Sequence, residues 1–84
     1  MENADVKLLT YSEVLEGLKA GKSYARAGWN GKGLSISLAP DGAVVIHGFV
    51  LQSFFVLFNT ITMTANTWVA SVSDTLAEDW YEVV

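Results

Sequence analysis

Apolar positions along the chain change period several times, and each change marks an element. Tyr11, Val14, Leu15 and Leu18 recur at helical spacing. Thr10-Tyr11-Ser12-Glu13 precedes them as a capping box, with Leu9 and Val14 at the staple positions. Gly21 supplies a left-handed stop, so a helix over Tyr11–Ala20 is predicted. Lys22–Ala27 reads as a short strand. Leu34-Ser35-Ile36-Ser37-Leu38 alternates strictly, as a strand with one buried face does. Pro40-Asp41-Gly42 carries turn chemistry, and Ala43–His47 is expected to return as the second arm of a hairpin over Leu34–His47.

Phe49–Phe58 is apolar on both faces, and its aromatic and β-branched residues favour a strand at a subunit interface. Thr60–Thr64 alternates again and would turn Ile61 and Met63 inward. Ala65-Asn66-Thr67 reads as a turn and Trp68-Val69-Ala70 as extended chain. Ser71 or Ser73 caps a short second helix running to about Asp79, whose acids Asp74, Glu78 and Asp79 favour the helix start more than its end. Trp80–Val84 closes as a strand, with Trp80 in the core. Residues 1–84 therefore form one α+β domain. It is a mostly antiparallel sheet with one N-terminal helix and one short C-terminal helix.

Composition narrows the chemistry. The chain has no cysteine and a single histidine, His47, so disulfides, thiolate metal sites and histidine-rich metal sites within one chain are excluded. With 84 residues, half of them hydrophobic, stability must come from the core, supplemented by homo-oligomerisation. No stretch approaches the ~20 apolar residues of a spanning helix. The acidic N-terminus does not resemble a secretory signal, so a cytoplasmic protein without a membrane role is expected. All five basic residues lie within residues 1–32, and residues 33–84 carry five acids and no cation. Four of the five cations fall within Lys19–Lys32, which suits a small anion better than long nucleic acid.

Two segments could carry chemistry. Arg26–Gly33 combines three glycines, two cations, one Trp and one amide. Trp29 can stack on a base, Asn30 can read a base edge or sugar, and Arg26 and Lys32 can neutralise phosphate. The same residues equally describe a tight turn with Trp29 plugging the core. Trp68, Ser71 and Asp74 form the second group, where Asp74 is a helix cap or an acceptor for a ligand hydroxyl. His47 reads as a structural histidine in an apolar strand. His47, Ser71 and Asp74 make a triad on paper that their spacing does not call for. With no nucleophile motif and no carboxylate pair suited to acid–base work, a non-enzymatic protein without cofactor is expected.

The segments EVLEGLKAGKSYARAGWNGKG (residues 13–33) and WVASVSDTLAEDW (residues 68–80) together resemble the second Thoeris anti-defense family of small phage and prophage proteins. That resemblance implies a sponge that binds cyclic ADP-ribose-type immune signals, typically the glycocyclic form, without degrading them. Some members are similar to sponges for cyclic oligonucleotides. It also implies a homo-oligomer, a tetramer built as a dimer of dimers, acting in the host cytoplasm. The ligand-binding residues it carries over are Arg26, Trp29, Asn30 and Lys32 with Trp68, Ser71 and Asp74. The middle of the chain matches the family poorly. An alternative reading is a protein–protein inhibitor or structural phage accessory protein acting through the apolar 49–58 surface.

Overall fold

A computed structural model describes residues 7–29 and 33–84. The element order is α1 (Tyr11–Lys19), β1 (Ser23–Arg26), β2 (Leu34–Ala39), β3 (Val45–Ile46), β4 (Phe49–Val50), β5 (Phe54–Asn59), β6 (Thr64–Thr67), α2 (Val72–Leu76) and β7 (Trp80–Val83). Five strands form one antiparallel sheet in the order β6-β5-β2-β1-β7, and β3 and β4 form a separate two-stranded ribbon. This is the expected α+β class. No helix among the described residues is long and apolar enough to cross a membrane.

The expected capping box starts α1. Thr10 Oγ1 accepts from the Glu13 amide, and Glu13 Oε1 accepts from the Thr10 amide at 2.9 Å. Leu9 exchanges backbone hydrogen bonds with Trp80, which ties the helix start to β7. Val14 and Leu18 then meet Tyr24, Ile36 and Trp80 in a fully buried cluster on one sheet face. Gly17 belongs to this packing. A Cβ at that position would fall on the ring and hydroxyl of Tyr24.

Several expectations are corrected. Leu34–His47 is not a hairpin: β2 pairs over its whole length with β5, from Leu34–Asn59 to Ala39–Phe54. The Pro40–Ala43 turn forms, with Gly42 at φ +81°, but it only diverts the chain into the ribbon. The reversal occurs at His47-Gly48, both left-handed at φ 52° and 81°, the arrangement that matches strand twist in a two-residue hairpin. His47 is therefore an exposed turn residue rather than a strand residue. Phe49–Phe58 is interrupted at Leu51–Ser53, where the Asp41 carboxylate accepts from both the amide and the hydroxyl of Ser53.

Thr60–Met63 is a turn, and Ile61 and Met63 point outward, Met63 being 84% exposed. Asn59 Oδ1 accepts from the amides of Ile61 and Thr62, a local reversal that overrides the alternation. The expected turn at Ala65-Asn66-Thr67 is instead strand β6, paired with β5. Ser71 caps α2, but the helix stops at Leu76, leaving Asp79 outside it.

Replacing Gly17 by Ala should lower thermal stability, although Ala gains about 0.5–1 kcal/mol of helix propensity. Overpacking costs about 1–3 kcal/mol and should win. Adding Tyr24→Phe should recover part of the loss. A Gly17→Ala protein melting above the parent would contradict this packing.

Candidate functional site

The two sequence segments meet at Arg26. Its guanidinium donates from Nε to Asp79 Oδ1 and from Nη1 to Asp74 Oδ1, both at 2.9 Å. Asp79 sits just before β7 and Asp74 in the first turn of α2, so one cation at the end of β1 joins three elements. Each carboxylate has further work. Asp74 Oδ2 accepts from the amide and hydroxyl of Ser71, completing the helix cap, and Asp74 is only 8% exposed. Asp79 Oδ2 accepts from the Gly28 amide at 2.8 Å, and the Asp79 carbonyl accepts from Ala27.

Gly28 is required by this approach. A Cβ there would lie 2.9 Å from Asp79 Oδ2. The loop leaving β1 is thus anchored at two successive amides, and a turn follows in which the Trp29 amide donates to the Arg26 carbonyl.

Behind the ion cluster lies an aromatic one. Trp29 and Trp80 meet edge to face at 5.3 Å between ring centroids, and Trp68 lies 6.5 Å from Trp29 and 6.2 Å from Trp80. Tyr11 packs on Trp80 at 5.5 Å, and Phe55 closes on Trp68. Trp80 is fully buried and donates its indole N–H to the Asp74 carbonyl. Such pairs contribute about 0.5–1.5 kcal/mol each beyond area burial. Trp29 is half-buried, serving both as a core contact and as a wall of an open cleft of about 390 Å³. Ala25, Arg26 and Ala27 of the β1 end line that cleft with Gly33, Leu34 and Tyr81.

Charges in the cluster follow from its geometry. Hydrogen bonding to Arg26 holds the Asp79 carboxyl below its ordinary range, assisted by the Gly28 amide. For Asp74, burial pushes the pKa up, but hydrogen bonds from Ser71, Arg26 and Trp29 outweigh it and the net shift is downward. Both carboxylates raise Arg26, Asp79 more strongly. Burial, then the Asp74 charge, raises the Tyr11 phenol. Two carboxylates face one guanidinium, so the cluster carries a net negative charge.

Of the site residues expected from sequence, Arg26 and Trp29 line the cleft, while Trp68 lies behind Trp29. Ser71 and Asp74 are engaged in the α2 cap and the Arg26 pair. Asn30 and Lys32 lie outside the described residues. His47, at the ribbon tip, makes no hydrogen bond to Ser71 or Asp74 among the described residues, so the paper triad is not assembled. Sequence reasoning missed Asp79. Its poor fit to a helix end was the available signal, because it belongs to no helix and serves Arg26 instead.

Residues 9–83 match the Thoeris anti-defense 2-like domain family. The chain belongs to that family. Among curated proteins it is similar to Thoeris anti-defense 2 of Bacillus phage SP01, at 33% identity over 81 residues, covering 86% of this chain and 91% of that protein. The family match spans both segments joined at Arg26 and the poorly recognisable middle between them. The ion cluster and tryptophan cluster are therefore features of a Thoeris anti-defense 2-like domain.

Acid should loosen this clamp in a defined window. Asp74 and Asp79 have depressed folded-state pKa values, so their stabilisation is complete above the unfolded carboxylate value of about 3.9 and is lost as pH falls through the folded values. The unfolding midpoint should hold steady from about pH 5 upward and fall steeply below about pH 4. Asp79→Asn should lower the midpoint at neutral pH and flatten the acid limb. A variant curve parallel to the parent's would contradict the assignment.

Proposed function

We propose that the protein binds and sequesters a cyclic ADP-ribose-type signalling nucleotide without degrading it, acting against Thoeris-like immunity in the host cytoplasm. One observation supports this reading above the others. In a member of an anti-defense family, the cation-bearing Arg26–Trp29 segment and the Trp68–Trp80 segment are clamped together beside an open cleft. Sequestration requires a slow off-rate and a preorganised pocket, and a doubly anchored loop provides the second. No catalytic group is needed for it.

The ion pairs divide the labour among the proposed ligand residues. Arg26 spends its charge on Asp74 and Asp79 but retains guanidinium N–H donors beyond the two that are engaged. It is assigned hydrogen bonding and loop orientation, with Trp29 as the stacking wall. Lys32 is assigned the phosphates and Asn30 a base or sugar edge. Trp68, Ser71 and Asp74 act from behind by holding Trp29 and Arg26 in place. The cleft lies near the lower end of the ~300–1,000 Å³ usual for ligand sites. A neighbouring subunit of a tetramer, assembled as a dimer of dimers, would enlarge it. Cyclic oligonucleotides are a second ligand class for the same assay.

A second reading has its own observation. The β3–β4 ribbon carries exposed Val45, Ile46, Phe49 and Val50, with Phe49 78% exposed, a surface suited to a protein partner. In that case the protein is an inhibitor or accessory protein acting by contact.

Incubation of purified protein with a TIR-derived cyclic ADP-ribose should deplete free ligand, and heat denaturation should return it intact. Trp29→Ala should weaken retention at least tenfold while leaving the fold in place. Hydrolysed product on release would make the protein an enzyme. Failure to retain any cyclic nucleotide, with partner capture unaffected by Trp29→Ala, would favour the contact inhibitor.

A further inference from the structure

Pairing between β1 and β2 is confined to Tyr24 opposite Ile36, although β2 pairs with β5 along its whole length. Beyond that position the sheet is split. The open cleft lies in the split, with Arg26 and Ala27 on one side and Gly33 and Leu34 on the other. Each side is held away from its neighbour. The Ala27 and Gly28 amides donate to the carbonyl and carboxylate of Asp79, which draws the end of β1 toward β7. The Gly33 carbonyl accepts from the amide of Thr60 at 2.9 Å and from its hydroxyl at 3.3 Å, which draws the start of β2 toward β5. Gly33 is left-handed at φ +80°, and a Cβ there would fall on Thr60 Oγ1, so glycine is needed for this seat.

The split leaves a main-chain donor facing the cleft. In a trans peptide the carbonyl and the following N–H point opposite ways, so a Gly33 carbonyl turned to β5 sends the Leu34 N–H toward β1. A ladder continuing the Tyr24–Ile36 register would meet it there with the Arg26 carbonyl. That ladder stops short, and the Arg26 carbonyl accepts from the Trp29 amide instead. The turn that presents Trp29 is what releases the Leu34 N–H. Among the described residues, β1 offers it no acceptor, and a backbone donor without a partner is costly unless water or a ligand satisfies it.

We infer that the Leu34 N–H is a ligand donor and that it reads an acceptor atom on the edge of the nucleotide's base. The inference rests on the sequestration reading and deepens it by placing the base in this cleft. Two observations favour a base over a phosphate. First, two carboxylates face the single Arg26 guanidinium beside the cleft, and their excess negative charge repels an anion but not an uncharged ring. Second, Trp29 and Tyr81 give the cleft aromatic side chains, which suit a planar group. The donor belongs to the first residue of a strand anchored on β5, so its direction is fixed before the ligand arrives. Any residue except proline supplies such a donor, so side-chain pattern does not reveal it.

Amide exchange followed by NMR on the isotopically labelled full chain tests this. Saturation with a TIR-derived cyclic ADP-ribose should slow exchange of the Leu34 N–H at least tenfold. Ribose phosphate, which lacks a base, should leave it unchanged. Leu34→Val keeps the donor and should retain nucleotide as the parent does. Leu34→Pro removes the donor at a strand's first residue, where proline is tolerated, and should weaken retention at least tenfold. If that variant does not fold, the exchange measurement on the parent decides alone. Nucleotide retained with Leu34 exchange unchanged would overturn the inference and leave the sequestration reading standing. Slowing by ribose phosphate would also overturn it, because sugar or phosphate would then occupy the base position. A protein that retains no cyclic nucleotide contradicts both readings together.

Discussion

One guanidinium ties the end of β1 to α2 and to the start of β7. Arg26 lies between Asp74 and Asp79, and through them reaches the α2 cap, the start of β7 and the first turn of the loop after β1. Removing one member of a fully buried ion cluster costs about 3–5 kcal/mol, because the remaining charges lose their partners. The cluster here is partly exposed and costs less to break. Its consequence is geometric: Trp29 follows directly from the anchored turn, and the position of its ring is set from both the charged and the aromatic side.

The aromatic side explains why the anchor is affordable in so small a domain. Trp80 is the largest fully buried side chain, and its indole N–H satisfies the carbonyl of Asp74, whose carboxylate holds Arg26. Core and ion cluster therefore share a residue. A change that moves Trp80 also moves the carboxylate. Tyr11, presented by the capped start of α1, packs on Trp80 and feels the Asp74 charge. The N-terminal helix thereby contributes to the site without lining the cleft.

What the sequence made legible was the short-range chemistry. The capping box of Thr10 with Glu13 is complete within four residues and formed as read, and of the two caps offered for α2 the structure selects Ser71, with Asp74 closing a second box. The strands β1, β2 and β7 were visible because alternation or apolar runs mark them. Partner choice was not visible. Leu34–Ala39 had two following apolar runs to pair with, and the nearer one lost because His47-Gly48 reverses the chain and leaves Phe54–Asn59 to return. Thr60–Thr64 alternates, yet Asn59 reverses the backbone there with its own side chain. At the site, local pattern left Trp29 balanced between core plug and ligand wall, and the structure shows it half-buried, packed on Trp80 and lining the open cleft. Asp79 stayed hidden because its partners, Arg26 and Gly28, lie about fifty residues away.

The most direct test of the clamp is a double-mutant cycle between Arg26 and Asp79, using Arg26→Met, Asp79→Asn and the double variant, read both in unfolding free energy and in nucleotide dissociation. If the ion pair sets the loop, the two changes should be non-additive by about 1 kcal/mol or more in both readouts, within the range measured for residues in one network. Additive losses in both, with a coupling energy near zero, would show that Arg26 and Asp79 act independently and that the clamp does not organise the site.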